Sequence, residues 1–222
     1  MIITMASEKG GVGKSTVALV LASEFQGMGY SVLVVDTDPQ GTIRDWSDIA
    51  AENGHGAPTV VSMGASLPGQ LPDLSKNYEI TIIDCAGTDT AGLTRALKVS
   101  DLALCPCGQS APEVFALRRT LRLVENAMLE NKFLKSAIIK NKLKPRTSIG
   151  GAISEHLKDL GHGTLDAFLS NRVAYEEFIA TGQGVSAYAP RSKAAAEAKA
   201  LTLEVLNLIS ESSTNLKKEE VA

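Results

Sequence analysis

The sequence predicts an α/β fold, a mainly parallel twisted sheet with helices packed on both faces. Three features predict it. Short apolar runs alternate along the chain with stretches of helical period. The runs are continuously apolar, as in strands buried on both faces, and do not show the in-out alternation of a half-exposed sheet. The first run ends in a glycine-rich turn that opens a helix, the start of a βαβ unit.

The elements follow in order. Residues 2–6 form a first strand; Val17, Val20 and Leu21 mark the buried face of the next helix, which stops at Gly27-Met28-Gly29 before a second strand at 32–35. Further strands are expected near 59–63, 80–84, 102–105 and 137–140, with a helix over 113–129 among the connections. Thereafter a strand at 164–169, a short helix at 173–181 and a long helix at 192–210 are expected, the last burying Leu201, Val205, Leu208 and Ile209. Residues 1–210 read as one domain and 211–222 as a polar tail that frays. Because the first strand opens the sequence, no DNA-reading module is expected ahead of it.

With 222 residues the chain is long enough for one sizeable core and short for two. A formal charge of −3 gives no global basic field, so any nucleic-acid contact must come from a local cluster. Cys85, Cys105 and Cys107 lack the paired spacings of a zinc site or a secreted disulfide framework, which suits a reducing cytoplasm and buried packing. No apolar stretch approaches the roughly 20 residues that span a bilayer.

The chemistry concentrates at Lys9-Gly10-Gly11-Val12-Gly13-Lys14-Ser15-Thr16. A strand–turn–helix of this composition aims several backbone N–H groups, and the positive end of the helix dipole, at one point, which suits a triphosphate. The glycines admit close backbone approach, Lys14 can reach the β- and γ-phosphates, the Ser15 hydroxyl can ligate Mg²⁺, and Thr16 can add a contact near the α-phosphate. The general pattern asks for glycine where this chain has Glu8, and it places an additional lysine, Lys9, at the start of the turn, from where it can point across a subunit interface.

This loop resembles that of the deviant Walker A ATPases of the MinD/ParA class, K-G-G-x-G-K-[ST]-[ST]. Asp36-Thr37-Asp38-Pro39-Gln40 is similar to the D-x-D-P-Q segment of ParA-type proteins, and Ile82-Ile83-Asp84 to their Walker B strand end. The resemblance covers most of the chain. It implies an ATP hydrolase with ATP and Mg²⁺ as ligands: Ser15, Asp36 and Asp84 hold the metal, the carboxylates through water, Asp38 orients the attacking water and Lys9 acts in trans on a neighbour's phosphates. Residues 105–113 look like the family's P-x-x-P-S-P-x-[DE] loop, with Gly108 and Ala111 departing from it. Asn141 to Thr147 is similar to N-R-V-x-P-R-T, where the asparagine amide can read the adenine edge, and residues 188–197 resemble Y-x-P-x-S-K-A-A-x-E.

Between Lys132 and Arg146 stand six basic residues and no acidic one, with Arg172, Arg191, Lys193 and Lys199 further on. Lys142, Lys144, Arg146, Arg191 and Lys193 are the candidate contacts to DNA phosphates, giving salt-dependent binding without sequence preference. The resemblance implies an ATP-sandwich homodimer, a ParB-like or adaptor protein that stimulates hydrolysis, and nucleoid association in the ATP-bound state, so that DNA or another cargo is partitioned. A MinD-like membrane-associated ATPase is the alternative; it should end in a basic amphipathic helix, and residues 210–220 are too polar for one. A synthetase or an iron–sulfur reductase on the same scaffold fits less well: the cysteines are not placed for the reductase's cluster, and the Asp-Pro-Gln and Ser-Lys-Ala-Ala matches argue against both.

Overall fold

The computed structural model describes residues 1–144, 157 and 159–219, with side-chain surroundings given as far as residue 210. Seven strands are present among them: β1 (Ile2–Met5), β2 (Val32–Asp36), β3 (Thr59–Ser62), β4 (Ile80–Asp84), β5 (Leu102–Cys107), β6 (Lys135–Leu143) and β7 (Gly163–Ser170). They form one sheet in the order β3-β2-β4-β1-β5-β6-β7 with every pairing parallel. The helices are α1 (Lys14–Gly27), α2 (Thr42–Glu52), α3 (Leu67–Ser75), α4 (Thr90–Lys98), α5 (Ala111–Glu130), α6 (Ala174–Thr181), α7 (Val185–Tyr188) and α8 (Lys193–Glu219).

Successive strand residues point to opposite faces, so neighbours such as Ile82 and Ile83 serve different cores. Ile82, Leu104 and Val34 pack with Phe25, Trp46, Phe178, Leu201 and Val205 on one face. Ile83, Cys105 and Leu33 pack with Leu71, Leu93, Leu117 and Leu121 on the other. The apolar runs of β1, β2, β4 and β5 are therefore strands buried on both sides, whereas the edge strands β3 and β7 are partly exposed.

The differences from the expected elements have local causes. β5 continues to Cys107 through Pro106, which pairs in register with Ile139 of β6. Leu104 accepts from Ala6 on the β1 side, so Pro106, two residues on, points its missing N–H to that same side, beyond the last β1 pairing at Met5–Leu104. α5 starts at Ala111 because Ser110 and Glu113 form a capping box, with a proline in the first turn. β6 extends to Leu143 through a register irregularity, with Lys142 at φ 53. The long C-terminal helix runs to Glu219, past residue 210 where its apolar period fades.

The topology places the site. The chain leaves β1 to build β2 and β3 on one side, returns to β4, then crosses to β5, β6 and β7 on the other. In such a sheet the crevice lies at the carboxyl ends of the strands near this reversal. Asp36 and Asp84 are register partners there, and Asp84 pairs in turn with Met5, where β1 enters the glycine-rich turn.

Candidate nucleotide-binding site

The turn after β1 is shaped by glycines. Gly11 and Gly13 have φ of 77 and 90, left-handed values that disfavour other residues. At Gly13 a Cβ would also stand 2.3 Å from the Asn141 Nδ2. α1 starts from Gly13 with no side-chain cap and no acidic residue in its first turn. Its first N–H groups and its dipole are thus left for an external anion.

Lys14 is buried and its Nζ donates to the Lys9 carbonyl at 3.3 Å. Burial lowers its pKa, and the charge of Asp84 works against that shift. Ser15 Oγ donates to Asp84 Oδ2 at 2.6 Å. Burial pushes the Asp84 carboxyl up to about 7, against the pull of the Ser15 hydrogen bond and the Lys14 ammonium. Its other oxygen, Oδ1, is buried without a hydrogen-bond partner among the described residues. A buried anionic oxygen without a donor beside a serine hydroxyl fits a hard divalent cation and its waters. The residues present therefore suit Mg²⁺.

Asp36 is also buried, and burial raises its pKa. Its Oδ1 accepts from the Asp38 N–H at 2.9 Å, and Arg44 Nε lies 3.4 Å from its Oδ2. The same guanidinium donates to the Asp38 and Pro39 carbonyls at 3.3 and 3.1 Å, folding residues 36–41 around it. Gly41 (φ 73) permits this, since a Cβ there would meet the guanidinium at 2.6 Å. Asp38 Oδ1 accepts from the Gln40 N–H in a tight turn and stays partly exposed. Arg44 went unread in the sequence because one arginine in the first turn of a helix carries no pattern; its position four residues after Gln40 was the available signal.

Gly87, three residues beyond Asp84, closes the loop from the other side. A Cβ there would stand 2.8 Å from the Gly10 backbone and 2.9 Å from Lys14 Nζ. Glu8 bridges to both neighbouring helices, its N–H donating to Thr120 Oγ1 and its Oε1 accepting from Thr90 Oγ1. Lys9 N–H donates to Ser7 Oγ. The Lys9 ammonium itself has no hydrogen-bond or ion-pair partner among the described residues.

Asn141 and Lys142 also come to this loop. Asn141 Nδ2 donates to the Val12 carbonyl at 2.7 Å and Lys142 Nζ to the Gly11 carbonyl at 2.7 Å. Asn141 then lines a pocket of about 110 Å³ with Thr16, Ser170, Arg172, Tyr175 and Ile179. Lys142, grouped in the sequence with phosphate contacts to DNA, is thus placed on the nucleotide loop. Lys144, Arg191 and Lys193 are exposed; Arg146 lies outside the described residues. Arg172 is ion-paired with Glu197 at 2.7 Å. The three thiols are buried and unpaired with one another, their pKa pushed up to about 12 chiefly by burial, so they stay protonated packing groups. No cluster of three or more His, Cys, Asp or Glu side chains placed to hold a metal ion occurs among the described residues, and no described helix is long and apolar enough to cross a membrane.

The comparisons with known proteins agree with this geometry. The maintenance of carboxysome distribution protein A of Halothiobacillus neapolitanus is 26% identical over 197 residues, covering 88% of this chain and 91% of that one. Protein ParA of Rhizobium radiobacter is 25% identical over 189 residues, covering 82% and 83%. Among solved structures, the septum site-determining protein MinD of Pyrococcus horikoshii, complexed with Mg-ADP, superposes with a TM-score of 0.73 at 21% identity, over 95% of this chain and 98% of that one. Residues 3–185 match the family described as the CobQ/CobB/MinD/ParA nucleotide binding domain. A loop that leaves its N–H groups to an anion, three carboxylates at one sheet edge and a match over most of the chain agree: this chain belongs to the CobQ/CobB/MinD/ParA family of nucleotide-binding domains.

Proposed function

We propose that the chain is a ParA-type ATPase that dimerises on ATP, holds DNA without sequence preference in that state, and releases it on hydrolysis, so positioning DNA or another cargo. The observation that carries this reading is Lys9. It stands at the entrance of the loop with its ammonium unpaired among the described residues, whereas Lys14 and Lys142 are held on the Lys9 and Gly11 carbonyls. A cation so placed suits phosphates presented by a second copy.

In the proposed reaction the α1 N–H groups and Lys14 bind the phosphates, while Ser15, Asp84 and Asp36 hold Mg²⁺. The metal, when bound, would supply charge neutralisation for the phosphates. Asp38, partly exposed beyond Asp36, orients the attacking water. Lys9 of the opposing subunit stabilises the charge that develops on transfer, as an arginine finger does. The nucleoside extends past Thr16 into the pocket lined by Asn141 and Tyr175.

Arg191 and Lys193 support the DNA reading. They stand at the N-terminal start of α8, where the helix dipole disfavours cations, so a bound phosphate would relieve them. Two such surfaces joined in a dimer become one bivalent site, which hydrolysis divides. Lys144 and Arg146 extend the proposed surface; Lys142, held on Gly11, would belong to it only on leaving the loop. A ParB-like or adaptor protein would set the timing, and nucleoid association would follow from the DNA contact.

The test measures ATP-dependent dimerisation, ATPase rate and DNA binding for wild type, Lys9→Ala and Asp38→Ala. Asp38→Ala is expected to bind ATP and DNA but not to turn over; Lys9→Ala is expected to lose dimer and DNA binding together. A Lys9→Ala protein that dimerised and hydrolysed ATP normally would refute the mechanism. Binding to lipid vesicles with ATP, without binding to DNA, would move the reading to a membrane-associated ATPase.

A further inference from the structure

One carboxylate, Glu197 in the second turn of α8, gathers the wall of the nucleoside pocket. Its Oε1 accepts from Ser170 Oγ at 2.8 Å and from Arg172 at 2.7 Å, and its Oε2 from the Ser170 N–H at 3.0 Å and from Tyr175 OH at 3.2 Å. Arg172 Nε lies 3.1 Å from both oxygens, which completes a fork-on-carboxylate pair. Ser170, Arg172 and Tyr175 all line the pocket, whereas Glu197 does not. The Tyr175 hydroxyl also lies 2.9 Å from the Ala194 carbonyl, sharing its proton between α8 backbone and Glu197.

We infer that Glu197 is a positioning residue for the nucleoside: it sets the end of β7, the Arg172 guanidinium and the Tyr175 ring in the one arrangement that leaves the pocket open beside Thr16 and Asn141. The inference rests on the nucleoside reading of that pocket. Three observations support a role beyond packing. The hub's partners come from the end of β7, the connection after it and α6, so a single group fixes three segments of the wall. Burial alone would raise the Glu197 carboxyl, yet the hydrogen bonds from Arg172 and Ser170 hold it below its ordinary value, so it acts as an anion. Without that anion, Arg172 would be free to swing across the pocket it lines, and Ser170 would lose the acceptor for both of its donors. The loop that holds the phosphates has no bond to Glu197 among the described residues.

That separation gives the experiment. Glu197→Gln keeps shape and removes the charge; Tyr175→Phe keeps the ring and removes the hydroxyl. Affinities for Mg·ATP and for Mg·tripolyphosphate, which carries phosphates but no nucleoside, are measured by calorimetry on each protein. Wild type should bind ATP more tightly than tripolyphosphate. Glu197→Gln should lose about tenfold in ATP affinity and nothing for tripolyphosphate; Tyr175→Phe should change in the same direction by about threefold. A parallel loss for both ligands, or no loss for ATP in Tyr175→Phe, would overturn the proposal, and if Glu197→Gln fails to fold the tyrosine variant decides. Equal affinity of wild type for the two ligands would remove the nucleoside pocket itself, a failure distinct from a pocket that ignores Glu197.

Discussion

Asp84 offers the most quantitative test of the site. It is a carboxyl 1% exposed whose pKa burial raises from 3.8 to about 7. A group with a raised folded value binds more protons when folded than when unfolded across that interval. Its contribution therefore makes the metal-free protein less stable as pH rises from about 4 through 7, and the full cost stands above pH 7. At about 1.4 kcal/mol per pH unit, the shift corresponds to on the order of 4 kcal/mol. Asp84→Asn removes the titration and keeps the shape. Denaturant unfolding in EDTA, with wild type and variant compared at pH 4.5, 6 and 8, should show the variant gaining on wild type with each step, by about 3 kcal/mol in total. Saturating Mg·ATP should stabilise wild type more at pH 8 than at pH 6, because the ligand meets the ionised carboxylate, and should do little for the variant. A stability difference independent of pH would refute the argument that Asp84 is a desolvated acid awaiting a cation.

Further outcomes follow from close approaches. Gly87→Ala would set a methyl 2.8 Å from the Gly10 backbone and 2.9 Å from Lys14 Nζ; overpacking of about 1–3 kcal/mol should appear as a tenfold or greater loss of ATP affinity, read by titration calorimetry. Arg44→Ala removes the donor to the Asp38 and Pro39 carbonyls and the cation beside Asp36, so the ATPase rate should fall several-fold while ATP affinity in equilibrium binding changes little. Gly182→Ala places a Cβ 2.3 Å from the Ala50 N–H nitrogen at a residue with φ 68; thermal melts should show a loss of about 2 kcal/mol or more with ATP affinity relative to tripolyphosphate retained.

The fold was legible because its signals are local: apolar runs and glycine stops are read within one or two turns of chain, while the capping box at Ser110, equally local, went unread, and α5 starts before the expected Glu113. The loop, Asp36 and Asp84 were legible for a related reason. A parallel sheet sends the end of each strand to the same edge, so three short motifs after three strands must converge, as the Asp36–Asp84 register pairing bears out. What the sequence withheld depends on contacts between distant segments. Nothing near Asn141 says that its amide will hold the Val12 carbonyl, 129 residues away, and nothing near Lys142 distinguishes a lysine on Gly11 from one facing solvent. The bulge in β6 makes that distinction, and a bulge carries no compositional mark when its positive φ falls on lysine. Glu197 shows the same limit more sharply. Its motif was visible as a string of residues, but its work is done on Ser170, Arg172 and Tyr175, 22 to 27 positions earlier. The glutamate is therefore better understood as the anchor of the pocket wall than as part of the basic segment that precedes it, and under the proposed reading the two halves of one motif would serve different ligands.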